Sequence, residues 1–222
     1  MTQFRVEIER LQDRLLDMAV AASVALNKSI QAVYTRDADL AAEVIEGDAA
    51  LNAMERELDH VCLKLIALDQ PVAGDLRMVL GAMRMVVDLE RIGDEAVIIA
   101  ERALILHERP PYTLPPLFDT LCAMARQYME GGIAALRNLD PVVAVELCEG
   151  IMAPVDVNRR LNLELTESMI AESRRVERAI QVVHISNKLR RTCELNMNLA
   201  ESVIFVTQGE SVKHLYTDRV RV

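Results

Sequence analysis

The chain has 222 residues, of which 51% are hydrophobic but only 3% aromatic, with no Trp and a formal net charge of -9. That length can bury a core without staples, and Leu, Ala, Val, Ile and Met with abundant Glu and Arg is the usage of packed helices, so the expected fold is all-α. No block of Lys or Arg is present to follow a phosphate backbone, which argues against nucleic acid as a partner; the acidity leaves open either cation binding or a simply solvated surface.

Helical periodicity and breakers divide the chain into six long segments. The first spans about residues 4–34 and the second about 38–68, with Asp37 placed to cap it. "LDQPVAG" breaks the chain, and a third segment covers about 72–107. The stretch "HERPPYTLPP" then holds Pro110, Pro111, Pro115 and Pro116, which excludes a continuous helix. A fourth helix covers about 117–138, a fifth begins with Asp140 as cap and Pro141 in the tolerated first position, and a sixth covers about 176–207. Pro154 is expected to kink the fifth or delay its regular start. The expected division is a first antiparallel three-helix bundle at 1–108, a linker at 109–116, a second three-helix bundle at 117–210 and a tail at 211–222.

Cys62, Cys122, Cys148 and Cys193 are far apart and form no C-x-x-C, so they read as reduced thiols inside helices. The opening "MTQFRVEIERLQDRL" mixes charge with apolar residues, and no apolar run approaches the roughly 20 residues of a membrane span. The expectation is a cytoplasmic protein with no membrane insertion.

The two halves repeat each other. "RDADLAAEVIEGD" (36–48) matches "LDPVVAVELCEGI" (139–151) at an offset of 103, and "LERIGDEAVIIAE" (89–101) matches "LRRTCELNMNLAE" (189–201) at an offset of 100. A period of about 100 residues, three helices each, is an architecture.

Projected as a helix at about 100° per residue, the third segment gathers Arg77, Arg84, Asp88, Arg91, Glu95 and Arg102 on one side, expected to be wet, and Met78, Met85, Leu89, Ile92, Ala96 and Ile99 on the other. A further, mostly apolar stripe carries Glu90 and Asp94. Two adjacent ionised carboxylates there are costly unless compensated. Three compensations stand open: an Arg from a neighbouring helix, protonation of one acid, or a metal ion. The second segment, "EGDAALNAMERELDH", lines up Asp48, Asn52, Glu55 and Asp59 on one face. Facing Glu90 and Asp94, these would form an oxygen-rich set suited to Mg²⁺, Mn²⁺ or iron. Glu57 and His60 make one Glu-x-x-His, but no second copy exists, which disfavours a di-iron oxidase. Nucleophilic triads, phosphate-cradling loops and dinucleotide fingerprints are also absent. No enzyme is expected; the rival reading is a carboxylate-bridged metal-dependent hydrolase or oxidase, and a third is a structural bundle without metal.

The segments "ALDQPVAGDLRMV" and "DLERIGDEAVIIAERA", with a degenerate second copy ending "NLAESVIFVTQGE", resemble the PhoU family of phosphate-uptake regulators over about residues 5–210. The resemblance implies two similar three-helix bundles and a cytoplasmic protein that tends to dimerise and has no established catalytic activity. It implies a negative regulator of the phosphate regulon, linking components of a phosphate ABC transporter to a sensor histidine kinase. It implies metal ions, iron, zinc, manganese or magnesium, held by E(D)-x-x-x-D motifs on the bundle surface. Carried over by position, Glu90 and Asp94 form one such pair, Asp48 and Glu55 match acids of the second helix, and Asn52 stands where Asp is common. In the second half Arg190 takes the position of Glu90 and Glu194 that of Asp94. There Asp156 matches Asn52, while Met152 and Arg159 replace the equivalents of Asp48 and Glu55. The expectation is a first site that binds metal and a second that binds weakly or not at all, Arg190 pairing instead with Asp156 or Glu194.

Overall fold

The structure, a computed structural model, describes residues 3–210 and 212. The expected tail at 211–222 lies outside the described residues except for Val212. α1 (Gln3–Thr35) ends at Arg36, whose φ of 55° is left-handed, and Asp37 starts α2 (Ala38–Lys64), its carboxylate accepting from the Leu40 amide at 2.9 Å. A wider π-helical turn, Leu65–Asp69, continues α2 until Gln70 and Pro71 end it. α3 (Ala73–His107) follows. After the proline-rich stretch come α4 (Pro116–Asn138), α5 (Pro141–Glu149), α6 (Met152–Ala171), a short 3-10 turn and α7 (Val176–Gln208). Leu139 repeats the left-handed φ of Arg36, and Asp140 repeats the cap, accepting from Val142 N at 2.8 Å.

The expected fifth helix is therefore two helices. Gly150 and Ile151 separate α5 from α6, and Pro154, which has no N–H to give, sits in the first turn of α6, where no donor is needed. Pro154 and Ile151 are both buried, so packing holds the break in place.

The halves meet as antiparallel counterparts. Along α1 and α4, Gln12 donates to the carbonyl of Leu136 at 3.3 Å, Arg126 to Asn27 at 3.0 Å, and Tyr34 to Asp119 at 2.5 Å. Along α3 and α7, Arg77 donates to the carbonyl of Val206, Asn198 to Asp88 at 3.3 Å, and Lys188 pairs with Glu95 at 2.8 Å; just past the end of α3, Arg109 pairs with Glu177 at 2.7 Å. Partner numbers fall in one helix as they rise in the other, so a pseudo-two-fold relates the repeats. The apolar core is continuous across this contact, from Leu15 and Leu26 of α1 through Ile92 and Ile99 of α3 to Leu189 and Val203 of α7. Gly81 permits the approach: a Cβ there would lie 2.3 Å from Val206 Cγ2.

This contact corrects the projected wet face of α3. Asp88 is buried, Glu95 and Arg102 are half-buried, and Arg84 lies over the ring of Phe205 at 4.5 Å. These side chains line the seam with α7. The sequence projection places solvent opposite a single bundle's core, but here the second half covers that side. Polar groups at a seam are tolerated because each finds a partner from the other half.

Candidate metal-binding site

Leu89, Ile92, Gly93 and Ala96 face the core on the middle of α3. Leu51 of α2 packs directly onto Gly93, where a Cβ would lie 3.0 Å from Leu51 Cδ2. That approach draws the residues flanking Leu51 toward Glu90 and Asp94. The structure thus gathers five of the expected residues: Asp48, Asn52 and Glu55 from α2, Glu90 and Asp94 from α3. Asn52 Nδ2 donates to Asp48 Oδ2 at 2.7 Å.

The electrostatics report the crowding. Glu90 is pushed above its usual range first by desolvation, then by the charges of Asp94, Glu55 and Asp48, with Arg91 opposing. Asp94 is raised first by desolvation and then by Asp48; Lys188 and Arg91 pull against this, as does a hydrogen bond with Glu90. No Lys, Arg or His forms an ion pair with Asp48, Glu55, Glu90 or Asp94 among the described residues. Lys188, the α7 cation that acts on Asp94, is engaged with Glu95.

Glu90 is half-buried and Asp94 is exposed. The expectation that both turn away from solvent is therefore only half right, because the stripe they share lines an open groove between α2 and α3. Hard oxygen donors carrying four negative charges, at the edge of water, are the chemistry that suits Mg²⁺, Mn²⁺ or iron. Among the described residues, however, no three His, Cys, Asp or Glu side chains converge closely enough to hold an ion as they stand. Ligation requires side-chain rotation, which groove-lining carboxylates can make.

The second half is arranged differently. Glu194 is 7% exposed and is paired with both Arg190 and, at 3.1 Å, Arg191, while Asp156 is exposed and paired with Arg159 at 2.9 Å. Of the two partners expected for Arg190, it takes Glu194. His60 is exposed, and the four cysteines are free and buried.

Lys188 was missed in the sequence because it lies almost a hundred residues from Asp94. The repeat offset held the signal: antiparallel repeats place the start of the second "LRRTCE" segment beside the end of the first "LERIGD".

A family model described as PhoU domain matches residues 15–103, a range that includes all five gathered residues. The chain is 31% identical over 208 residues to a phosphate-specific transport system accessory protein PhoU homolog of Aquifex aeolicus, covering 94% of each chain. This chain belongs to the PhoU family. The PhoU accessory protein of Serratia marcescens is 30% identical and covers 97% of this chain and 89% of its own, and that of Escherichia coli is 29% identical with 98% and 90% covered. Among solved structures, PhoU of Pseudomonas aeruginosa superposes with a TM-score of 0.89 at 28% identity, covering 94% of this chain and 100% of its own. The phosphate transport system regulatory protein PhoU of Streptococcus pneumoniae gives 0.88 at 22% identity over 95% of this chain and 100% of its own, which speaks to fold alone. The all-α PhoU fold expected from the sequence is thus present. Among the described residues, no helix is long and apolar enough to cross a membrane.

Proposed function

We propose that this protein is a cytoplasmic regulatory accessory component of phosphate transport. It restrains uptake when phosphate is plentiful by contacting both the phosphate ABC transporter and a sensor histidine kinase. The observation that carries the proposal is the match, at about 30% identity and along almost the whole length, to relatives named phosphate-specific transport system accessory proteins. The regulatory direction, the kinase and a homodimeric state come from the family resemblance.

Within that role, Glu90 and Asp94, with Asp48, Asn52 and Glu55, hold a divalent cation together with water; the cation neutralises the groove and fixes α2 against α3. Identity among magnesium, manganese, iron and zinc follows supply and ligand number, since a carboxylate-rich set discriminates these ions weakly. In the second half, Arg190 already neutralises Glu194, so no cation is held there. The role is tested by affinity capture on this protein from cells grown with and without phosphate. Recovery of transporter ATPase and kinase supports it; absence of both from every bound fraction refutes it.

A further inference from the structure

Next to the acidic groove, the first half carries an apolar pocket of about 340 Å³ between α1, α2 and α3. Its walls are small or aliphatic, among them Ala21 and Ala25 of α1, Gly47 and Leu51 of α2 and Val97 of α3. Three charged residues stand on its lining: Lys28 and Glu43, paired at 2.5 Å, and Asp48. The pair cancels itself. Asp48 has no cationic partner among the described residues, so the net charge of the lining is one carboxylate.

The second half shows what the same architecture does when this space is not kept open. α1 and α4 end at corresponding left-handed residues, Arg36 and Leu139, and α2 and α5 start at corresponding caps, Asp37 and Asp140. In that register Ala25 corresponds to Tyr128, Val44 to Leu147 and Gly47 to Gly150. Tyr128 reaches across to donate to the Leu147 carbonyl at 3.3 Å, and a Cβ on Gly150 would lie 3.0 Å from its hydroxyl. Leu147 likewise crowds Gly131 to 2.9 Å. A Cβ on Gly47, by contrast, would meet nothing within 4 Å. The first half has Ala, Val and an open Gly where its own repeat has Tyr, Leu and a covered Gly.

Open apolar volume of this size is within the range of small-molecule sites, and such sites orient their ligands with a few polar groups. We infer that the pocket between α1, α2 and α3 binds an alkylammonium group, its aliphatic chain against Ala25, Leu51 and Val97 and its cationic head against the Asp48 carboxylate. A neutral chain of equal length would fill the same space but forgo that pairing, and an anionic one would be repelled by Asp48. The shared chemistry has two sources, a free aliphatic amine or a lysine side chain on a protein segment.

The test is a methyl-detected NMR titration of the full chain, in chelator so that no metal occupies Asp48, with the hexylammonium ion, hexanol and hexanoate as probes. The expected result is shifts at Leu51, Val44 and Val97 for hexylammonium at concentrations about threefold to fivefold below those needed for hexanol, and none for hexanoate, the charge contributing up to about fivefold at a half-exposed pair. Asp48→Asn brings hexylammonium down to the level of hexanol. Ala25→Tyr, which installs the filler of the second half, abolishes binding. Should that variant overpack, Gly47→Leu, which enters open space and removes a helical glycine, blocks the pocket in a folded protein. Repeating the titration with Nα-acetyl-lysine N-methylamide identifies the source: shifts at the same methyls support a lysine side chain, and their absence alongside hexylammonium binding supports a free amine. Equal affinity for hexylammonium and hexanol, or binding unchanged in Gly47→Leu, would overturn the inference.

Discussion

At the residue scale, the acidic groove is the place where the protein departs from its own rules of pairing. Glu90 and Asp94 sit above their usual range because burial penalises ionisation, reinforced at Glu90 by the charges of Asp94, Glu55 and Asp48 and at Asp94 by that of Asp48. The sign follows directly. A carboxyl whose folded value exceeds its unfolded one keeps its proton longer in the folded state, so its contribution to stability grows as pH falls through the raised value and is lost as pH rises. In chelator, the melting temperature relative to a Glu90→Gln/Asp94→Asn variant is expected to improve as pH is lowered from about 7.5 toward about 5. At neutral pH the double variant should be the more stable of the two, and thermal melts at both pH values check this. Both acids were legible in the sequence as an anomaly on a helical projection. Their degree of exposure was not, because that depends on how far α2 leaves the groove open.

Glycine positions carry a second residue-scale expectation. Gly81 is buried with Val206 within 2.3 Å of any added Cβ, so Gly81→Ala forces a shift of the α3–α7 seam. The cost expected is about 1–3 kcal/mol, read by denaturant unfolding. Gly47→Ala, in open space, should be neutral or stabilising, by up to about 1 kcal/mol from helix propensity.

At the scale of elements, periodicity and breakers located the helices closely: the predicted third segment at 72–107 is α3, Ala73–His107, and the predicted sixth at 176–207 is α7, Val176–Gln208. The starts of α2 and α5 were readable from local chemistry, the Asp37 and Asp140 caps, and the limits of α3 from Pro71 before it and Pro110 and Pro111 after it. Asp37→Ala and Asp140→Ala should each cost about 1 kcal/mol, measurable by urea unfolding. The face of α3 was misread in part: Arg84 and Arg91 are exposed as expected, but Asp88, Glu95 and Arg102 meet the second half, because a charged stripe looks the same whether it meets water or a polar partner helix. Buried thiols are likewise set by packing. Burial pushes Cys62, Cys122 and Cys148 up to about 12. Thiolates are the reactive form, so at about pH 8 a thiol reagent should modify native cysteines more than tenfold more slowly than those of the urea-unfolded chain.

For the whole molecule, the repeat gives two halves of one architecture with unlike contents. The first half holds unneutralised acids beside an open pocket; the second has Arg190 on Glu194 and Tyr128 in the corresponding space. The exchange of Glu90 for Arg190 was readable from the aligned repeats, whereas the pocket was not, since volume is a property of the assembled helices. The pseudo-two-fold also brings Lys188 within electrostatic reach of Asp94, so charge at the groove is felt at the seam joining the halves. Cation binding in the first half is therefore expected to stabilise the molecule as a whole and not one bundle alone.

The most direct measurement is a calorimetric titration of metal-free protein with Mn²⁺, comparing the wild type, Glu90→Ala/Asp94→Ala and Arg190→Ala. One site per chain in the wild type, its loss in the double variant and its retention in Arg190→Ala is the predicted outcome. Undiminished binding in Glu90→Ala/Asp94→Ala would contradict it.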